Sequence, residues 1–418
     1  MKRFIASAML IVMCFSCLGL TGCSYFIRGF MEAAEQGNKH EPVIGTDPDT
    51  GLPLYYTIYD NGCEKQIRRQ EGNTCWAYAC ASAMEYSWQY MNGESLTIDA
   101  LDLAETAYDP DRDEGLFIPE GEDPRNYAGN VYVVRNEIAS QGYNGLNLIE
   151  SSTYDEAEII DIKNALLEYG ALAVGVNDYG TKYREVNGTT TYLGNIYCDV
   201  THMCVVVGWD DSFPKEDFCE EATQDGAWLV QNSYDTGWGD EGCFWVSYDT
   251  PFKEISSFVL SDEYSQVLSY DRGSFYMYSG FECPTVANVF HEPGTLSAVG
   301  TYTEEDDSTI VIEIWDAEFT EVIYSQTVEV PFKGYHVFEL DEPIDVTDYA
   351  IAITYSGYVP IEGPEDDVGL GNVVPTCSEG QSFVNINGEW CDMSDNMTKR
   401  RLRLSVVPNN CCIHALYA

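Results

Sequence analysis

One cysteine stands where a polar loop gives way to a helical pattern, and that position limits what the chain can fold into. The loop ends at Thr74, and apolar residues then recur with helical spacing as far as Met91. The Asn-Gly pair that follows is a typical helix end, so a helix is predicted over residues 75–91. Cys75 would lie in its first turn, where unpaired N–H groups and the helix dipole favour a thiolate. Such a cysteine needs a base and a group that orients the base.

Later in the chain, two strand-like runs carry a histidine and an asparagine at their ends. His202 begins a Val-rich run, and Asn232 follows the apolar run of residues 227–231. A turn rich in glycine comes next. Three motifs therefore stand in order along the chain: Gln70 to Ala77, Thr201 to Gly208, and Asn232-Ser233-Tyr234-Asp235-Thr236-Gly237-Trp238-Gly239-Asp240-Glu241-Gly242.

Together these motifs resemble the papain family of cysteine peptidases, over roughly residues 55–250. In that family the histidine and asparagine follow the cysteine by about 130–150 positions. Here they follow Cys75 by 127 and 157 positions. The resemblance implies an α+β papain-like fold with a helical half and a β-rich half. It also implies a hydrolase that cleaves peptide bonds in a protein or peptide substrate. We expect no metal ion and no other cofactor.

The chemistry of each residue allows one role in such a reaction. Cys75 would attack the scissile carbonyl as a thiolate, and His202 would hold and transfer the proton. Asn232 would fix the tautomer and the orientation of the imidazole. Gln70 would donate its side-chain amide to the developing oxyanion, together with the backbone N–H of Cys75.

The substrate-binding candidates lie in two other loops. Gly129 and Asn130 end a loop rich in Asp, Gly and Pro, and Trp238 belongs to the glycine-rich turn after Asn232. Trp238 would also keep water away from the bond between histidine and asparagine. Tyr234 would share that task, in the place where the family usually has a tryptophan.

Two departures from the family pattern concern the segment before the nucleophile. Only four residues separate Gln70 from Cys75, one fewer than is usual, and the Cys-Gly-Ser that normally precedes the nucleophile is missing. With no gap in the comparison, Arg69 would take the place of the glutamine. The alternative function is therefore a surface adhesion or carbohydrate-binding protein on a catalytically silent papain-like scaffold.

The N-terminus has the pattern of a bacterial lipoprotein signal. A basic Lys2-Arg3 start and an apolar run precede the sequence Leu-Thr-Gly-Cys, which ends at Cys23. A secretory signal or a transmembrane anchor are the alternatives. We predict a signal peptide over 1–22, lipid on Cys23, and a spacer over 23–54. The protein would be exported and lipid-anchored on the outer face of the bacterial cytoplasmic membrane or on the cell surface.

The C-terminal part changes to short β-rich runs separated by turns, which indicates an all-β sandwich. Its motifs resemble the lectin-like domain that follows papain-type domains in some bacterial surface proteins. We therefore predict a peptidase domain over 55–254 and a lectin-like β-sandwich domain over 255–418. The motifs that carry the resemblance are Val286-Ala287-Asn288-Val289-Phe290, Gly334-Tyr335-His336, Gly380-Gln381-Ser382-Phe383 and Asn387-Gly388-Glu389-Trp390. A glycan is a candidate ligand of this domain.

The charge of the chain excludes one class of partner. The net charge is −48, which repels phosphate backbones and argues against a nucleic-acid partner.

Fifteen cysteines allow many pairings in an exported protein, and their connectivity does not follow from sequence. Cys80 and Cys204 lie in apolar runs and are also compatible with buried thiols.

Overall fold

A computed structural model describes most of the chain after the predicted signal and lipidation site. The described residues are 39–109, 115–155, 157–178, 182–194, 199–218, 222–272, 276–278, 285–362, 372–374, 376–402 and 410–418. The predicted signal peptide and Cys23 lie outside them. Within these ranges no helix combines the length and the apolar character that a membrane span requires.

Within the described ranges, four α-helices belong to the first half of the chain and one to the C-terminal part. They are α1 (Cys75–Asn92), α2 (Ala100–Ala107), α3 (Val131–Gln141), α4 (Ile159–Tyr169) and α5 (Asn396–Arg401). The predicted helix after the polar loop is confirmed by α1, which ends at Asn92 and is followed by Gly93 in a left-handed conformation with φ of 70°. Helix α2 begins at Ala100, where the Asp99 side chain accepts from the N–H groups of Leu101 and Asp102 and so caps the helix.

The strands are numbered in chain order through both halves. They are β1 (Tyr55–Thr57), β2 (Gly115–Phe117), β3 (Asn147–Ser152), β4 (Leu172–Val176), β5 (Tyr183–Val186), β6 (Thr189–Tyr192), β7 (His202–Asp210), β8 (Ala227–Gln231), β9 (Cys243–Ser247), β10 (Lys253–Ser256), β11 (Val259–Ser261), β12 (Gln266–Leu268), β13 (Tyr276–Tyr278), β14 (Thr285–Phe290), β15 (Gly294–Thr303), β16 (Ser308–Asp316), β17 (Val322–Val330), β18 (Gly334–Val346), β19 (Tyr349–Tyr355), β20 (Val359–Ile361), β21 (Asn372–Val374), β22 (Ser382–Ile386), β23 (Glu389–Asp392) and β24 (Ile413–Tyr417).

The first half joins a helical part to one mixed sheet. Its strands follow the order β10-β4-β7-β8-β9-β6-β5, and β1 pairs with β7 beside this path. Helix α1 packs against β7 and β4. All nine residues of β7 are buried, because the strand lies between two neighbours in the sheet and under the helix. This is the papain-like arrangement of a helical half on a β-rich half.

The second half is a sandwich of two six-stranded sheets. One has the order β17-β16-β19-β14-β22-β23, and the other has the order β11-β3-β18-β15-β24-β12. Their inner faces share one apolar core, to which Ile312, Ile353, Val299 and Ile413 belong. Alternating burial along β16 is typical of a strand with one face in such a core.

The two halves are joined through a sheet that both supply. Strand β3 precedes most of the mixed sheet of the first half in sequence, yet it pairs with β18 of the sandwich, with Tyr335 opposite Ser151. In the same register, the Nδ1 atom of His336 lies 2.7 Å from a carboxylate oxygen of Glu150. The predicted domain limits at 254 and 255 remain predictions, and the hydrogen bonding of the sheet continues across them.

Candidate active site

Cys75 is the first residue of α1, and the side chain before it leaves the helix start open. Thr74 occupies the capping position, but its hydroxyl donates to the Glu71 carbonyl at 2.7 Å and makes no capping bond. The N–H groups of the first turn therefore have no hydrogen bond from the Thr74 side chain. Such unpaired N–H groups favour an anionic group at the helix start.

His202 and Asn232 meet because their strands are neighbours. His202 begins β7, and Asn232 directly follows the adjacent β8. The histidine Nε2 lies 2.8 Å from Asn232 Oδ1, and both residues are buried. The backbone N–H of Ser233 also donates to Oδ1, at 2.7 Å. Because this N–H can only donate, the asparagine oxygen must face the histidine, so Nε2 carries the proton.

The electrostatics of the cysteine and the histidine are set by burial. Burial raises the pKa of the Cys75 thiol, while the backbone N–H groups of Met203, Trp76 and Cys75 act in the opposite direction. The hydrogen bond from the Met203 N–H to the Cys75 sulphur places this sulphur beside the start of β7. Burial also lowers the pKa of His202, against the effect of the Asn232 hydrogen bond. The expected preference for a thiolate at the helix start is thus opposed by desolvation, which favours two neutral groups.

Aromatic rings cover the histidine on the side of the asparagine loop. The Tyr234 ring stacks on the His202 ring, with centroids 4.8 Å apart and planes inclined by 23°. Trp238 meets Tyr234 edge-on at 5.5 Å and also packs against Phe244. Tyr234 thus lies on the histidine with Trp238 behind it, and the shielding of the His202–Asn232 bond from water stays a prediction.

Comparisons with known proteins fit this geometry. Residues 121–261 match the model of the papain family cysteine proteases, a range that includes His202 and Asn232 and begins after Cys75. Residues 268–416 match the model of a lectin-like domain. The chain thus carries a papain-family cysteine protease domain followed by a lectin-like domain. No curated protein sequence matches the chain.

Two solved structures of one clostridial enzyme share the fold over both domains. The clostridial cysteine protease Cwp84 after propeptide cleavage matches with a TM-score of 0.71 at 17% identity, over 87% of this chain and 98% of that chain. The cysteine protease and lectin-like domains of Cwp84, a surface layer associated protein of Clostridium difficile, match with a TM-score of 0.70. The identity there is also 17%, and the match covers 90% of each chain.

In this papain-family domain, the segment before the nucleophile is tied to the segment after the asparagine. The Gln70 N–H donates to the Ser233 carbonyl at 2.9 Å, and the Asp235 N–H donates to the Arg68 carbonyl at 3.1 Å. The Ser233 hydroxyl also donates to the Gln70 side-chain oxygen at 2.7 Å. The motifs around the cysteine and the asparagine are therefore held together directly.

Gln70 lies at the edge of the site, but its amide group is already engaged. Its Nε2 donates to the Gly72 carbonyl at 3.0 Å, within the loop that leads to Cys75. Gly72 has φ of 67°, and a Cβ there would lie 2.3 Å from the Arg125 carbonyl oxygen. The short loop thus turns tightly against Arg125 and Asn126. One N–H of the Gln70 amide is left for the predicted oxyanion contact.

The two predicted substrate-binding residues at 129 and 130 have clear structural surroundings. Gly129 lies against the Trp76 ring, where a Cβ would approach to 2.4 Å. Asn130 caps α3, since its Oδ1 accepts from the N–H groups of Tyr132 and Val133 at 3.1 and 3.3 Å. The backbone at 129 therefore borders the helix that carries Cys75, whereas the Asn130 side chain is occupied by the helix cap.

Sequence reasoning missed one acidic residue at the site. Asp178 lies just beyond β4, whose last residue, Val176, pairs with His202. Its carboxylate accepts from the Tyr234 hydroxyl at 2.8 Å. The sequence shows that Asp178 follows a strand-like run. It does not show that this strand pairs with the strand that begins at His202.

The helix that carries Cys75 is anchored by an ion pair between the buried Glu85 and the partly exposed Arg68. Glu85 on α1 accepts from Arg68, with the closest Nη2–Oε2 distance 2.7 Å, and from the Ile98 N–H at 2.7 Å. Burial raises the pKa of Glu85, and Arg68 opposes that shift. The pair fixes α1 against the segment that contains Gln70.

Replacing Glu85 by alanine should destabilise the protein by about 3 kcal/mol, because it leaves the Arg68 charge without its buried partner. Urea denaturation of the full chain measures the change. The matched control is Glu105→Ala on the exposed face of α2, which should change stability by less than about 0.5 kcal/mol. Equal effects of the two substitutions would contradict the anchoring role.

Proposed function

We propose that this protein is a surface-tethered cysteine endopeptidase that uses Cys75, His202 and Asn232. The observation that carries the proposal is the Nε2–Oδ1 bond of 2.8 Å between histidine and asparagine. It keeps one proton on Nε2 of the neutral ring, so Nδ1 is free to accept the thiol proton. The Met203 N–H beside the sulphur supports the position of Cys75 at that ring.

The reaction would follow from these positions in two stages. The thiol proton moves to His202 Nδ1, and the sulphur attacks the carbonyl carbon of the scissile peptide. The resulting oxyanion accepts from the Cys75 N–H and the Gln70 amide. The imidazolium then protonates the leaving amine, and an acyl-enzyme remains. A water molecule gives its proton to the imidazole and attacks the thioester, which releases the acid and restores the thiol.

Burial affects the balance between the neutral and the charged form of the Cys75–His202 pair. The neutral forms of Cys75 and His202 are each favoured by desolvation, whereas the charged pair gains from mutual attraction and from the N–H groups at the sulphur. Asn232 contributes by holding the imidazolium proton on Nε2. We therefore expect the proton to pass from the Cys75 thiol to His202 Nδ1 when the sulphur attacks the substrate carbonyl.

The test is labelling by an irreversible epoxide or vinyl sulfone inhibitor of papain-type enzymes, followed by mass spectrometry. Wild type should be labelled at Cys75, and both Cys75→Ala and His202→Ala should lose labelling by at least about 100-fold. Cys204→Ala serves as the control, because this buried thiol lies on β7 but has no proposed role. Folded wild type that resists labelling at neutral pH would favour the catalytically silent scaffold.

Tethering would place the active site near the membrane surface. We propose that lipid on Cys23 anchors the exported protein, as the signal-like sequence indicates, and the surface-layer association of Cwp84 is compatible with such a location. The spacer is docked from its middle onward: His40 Nε2 lies 2.8 Å from Asp210, and Lys39 lies 2.7 Å from Asp240. The chain between Cys23 and Lys39 can then span at most roughly 55 Å.

Replacing Cys23 by serine should move the protein from the membrane fraction to the soluble exported fraction, because it removes the lipid acceptor. Fractionation of cells that express the full chain, with an immunoblot, measures the distribution. Cys17→Ser in the apolar run is the matched control and should leave the protein in the membrane. Retention of the Cys23→Ser protein in the membrane would contradict lipid anchoring.

A second candidate function, glycan binding by the lectin-like domain, is favoured by a partly exposed aromatic cluster. Phe319 stacks on Trp390 with centroids 4.3 Å apart, and Trp315 lies beside both rings. Phe319 has φ of 56°, an unfavourable conformation for a bulky residue. Aromatic faces next to a carboxylate such as Glu313 are suited to pyranose rings.

Titration with neutral oligosaccharides should change the tryptophan fluorescence of the full chain, and Trp390→Ala should weaken binding by at least about 10-fold through loss of the stacked ring. Trp245→Phe, in the core of the peptidase half, is the control and should bind as wild type does. Binding that survives Trp390→Ala would rule out this cluster as the glycan site.

A further inference from the structure

Backbone contacts of Asp178 and of the strand before it hold this residue beside the histidine. It lies two residues beyond the end of β4, and Val176 at that end pairs with His202. The Asp178 N–H donates to the hydroxyl of Thr201, the residue before His202, at 2.8 Å. The end of β4 and the start of β7 are thus joined at the site by a polar contact as well as by strand pairing.

The Asp178 side chain reaches the opposite side of the histidine through a tyrosine. Its Oδ2 accepts from the Tyr234 hydroxyl at 2.8 Å, and the Tyr234 ring stacks on His202. A tryptophan in place of Tyr234 would offer no phenol for this bond. Burial raises the pKa of Tyr234, and Asp178 adds to the shift, so the phenol keeps its proton and donates.

The charge of Asp178 also acts on the reacting pair. It raises the pKa of His202, against the larger effect of burial, and it adds to the burial effect that raises the pKa of Cys75. A negative charge here favours the imidazolium and disfavours the thiolate. Both pKa values are therefore moved in the same direction, upward.

We propose that Asp178 is a positioning residue for the catalytic histidine, which it serves by holding the Tyr234 ring on His202 and by placing a negative charge beside the Cys75–His202 pair. This proposal rests on the function proposed above and adds a residue to that site. Asp178 acts on the histidine through the Tyr234 ring and through its negative charge. It has no proposed contact with substrate.

Other titratable groups face the pair from the surrounding elements. Cys80 on α1 and Cys204 on β7 are buried thiols whose pKa values burial raises well above the usual range, so they stay neutral. Tyr183 on β5 has its pKa raised by burial and stays neutral too. The Arg68 cation is bound to Glu85. Among the described residues, Asp178 is the acidic group that acts on both Cys75 and His202, so its removal should move the titration of the pair.

The test compares Asp178→Asn with wild type by the pH dependence of kcat/KM for a peptide and of Cys75 alkylation by iodoacetamide. Asparagine can still accept from Tyr234 but lacks the charge. Both limbs of each profile should move to lower pH, by roughly 0.5 to 1 unit. Asp199→Asn is the control, since Asp199 is exposed near the same strand end, and its profiles should coincide with wild type.

Tyr234→Phe tests the other part of the proposal. The ring remains but the hydroxyl bond is lost, so kcat should fall several-fold while the limbs of the pH profile stay close to those of wild type. In the double variant Asp178→Ala with Tyr234→Phe, kcat should fall no further than in Asp178→Ala alone, because both changes break the same bond.

Two results would overturn the proposal. One is an Asp178→Asn protein that matches wild type in both profiles, and the other is a slower protein whose limbs do not move. Melting temperatures of all variants show whether a loss reflects unfolding. Alkylation of Cys75 requires no peptide cleavage, so a shifted alkylation profile without peptidase activity would refute the proposed function alone.

Discussion

The site depends on the closure of the loop before α1 onto the segment that follows β8. Backbone bonds from Gln70 to Ser233 and from Asp235 to Arg68 bring the nucleophile of the helical half to the histidine and asparagine of the β-rich half. Arg68 continues the contact into the helix, where it meets the buried Glu85. Because a buried charge needs its partner, the position of α1 and the closure of the loop are coupled.

Much of the site could be predicted because its signals are local. The helical spacing that begins at Trp76 gives α1 to within one residue at its end, and the Val-rich run gives β7. The sequence signals do not predict helix α3, since its start at Val131 is rich in β-branched residues and its capping Asn130 is also a candidate for substrate binding. Helix α4 begins at Ile159, where the Asp161 carboxylate accepts from the Glu158 N–H at 3.1 Å.

What could not be predicted depends on contacts between distant segments. Strand β3 joins the sandwich sheet through β18, although the two are far apart in sequence. Asp178 meets Tyr234 only because β4 lies beside β7 in the sheet. The engagement of the Gln70 amide with Gly72 follows from the short loop and from its close approach to Arg125. Pairing and loop closure of this kind are set by the whole fold.

The central claim is that Asn232 keeps a proton on His202 Nε2 and so leaves Nδ1 for the Cys75 proton. The most direct measurement is ¹⁵N NMR of protein labelled at histidine, with Cys75→Ser used to prevent oxidation. At a pH where the ring is neutral, the account predicts the Nε2–H tautomer with a proton that exchanges slowly, because the bond to Asn232 is buried. A neutral His202 ring with its proton on Nδ1 would contradict the account.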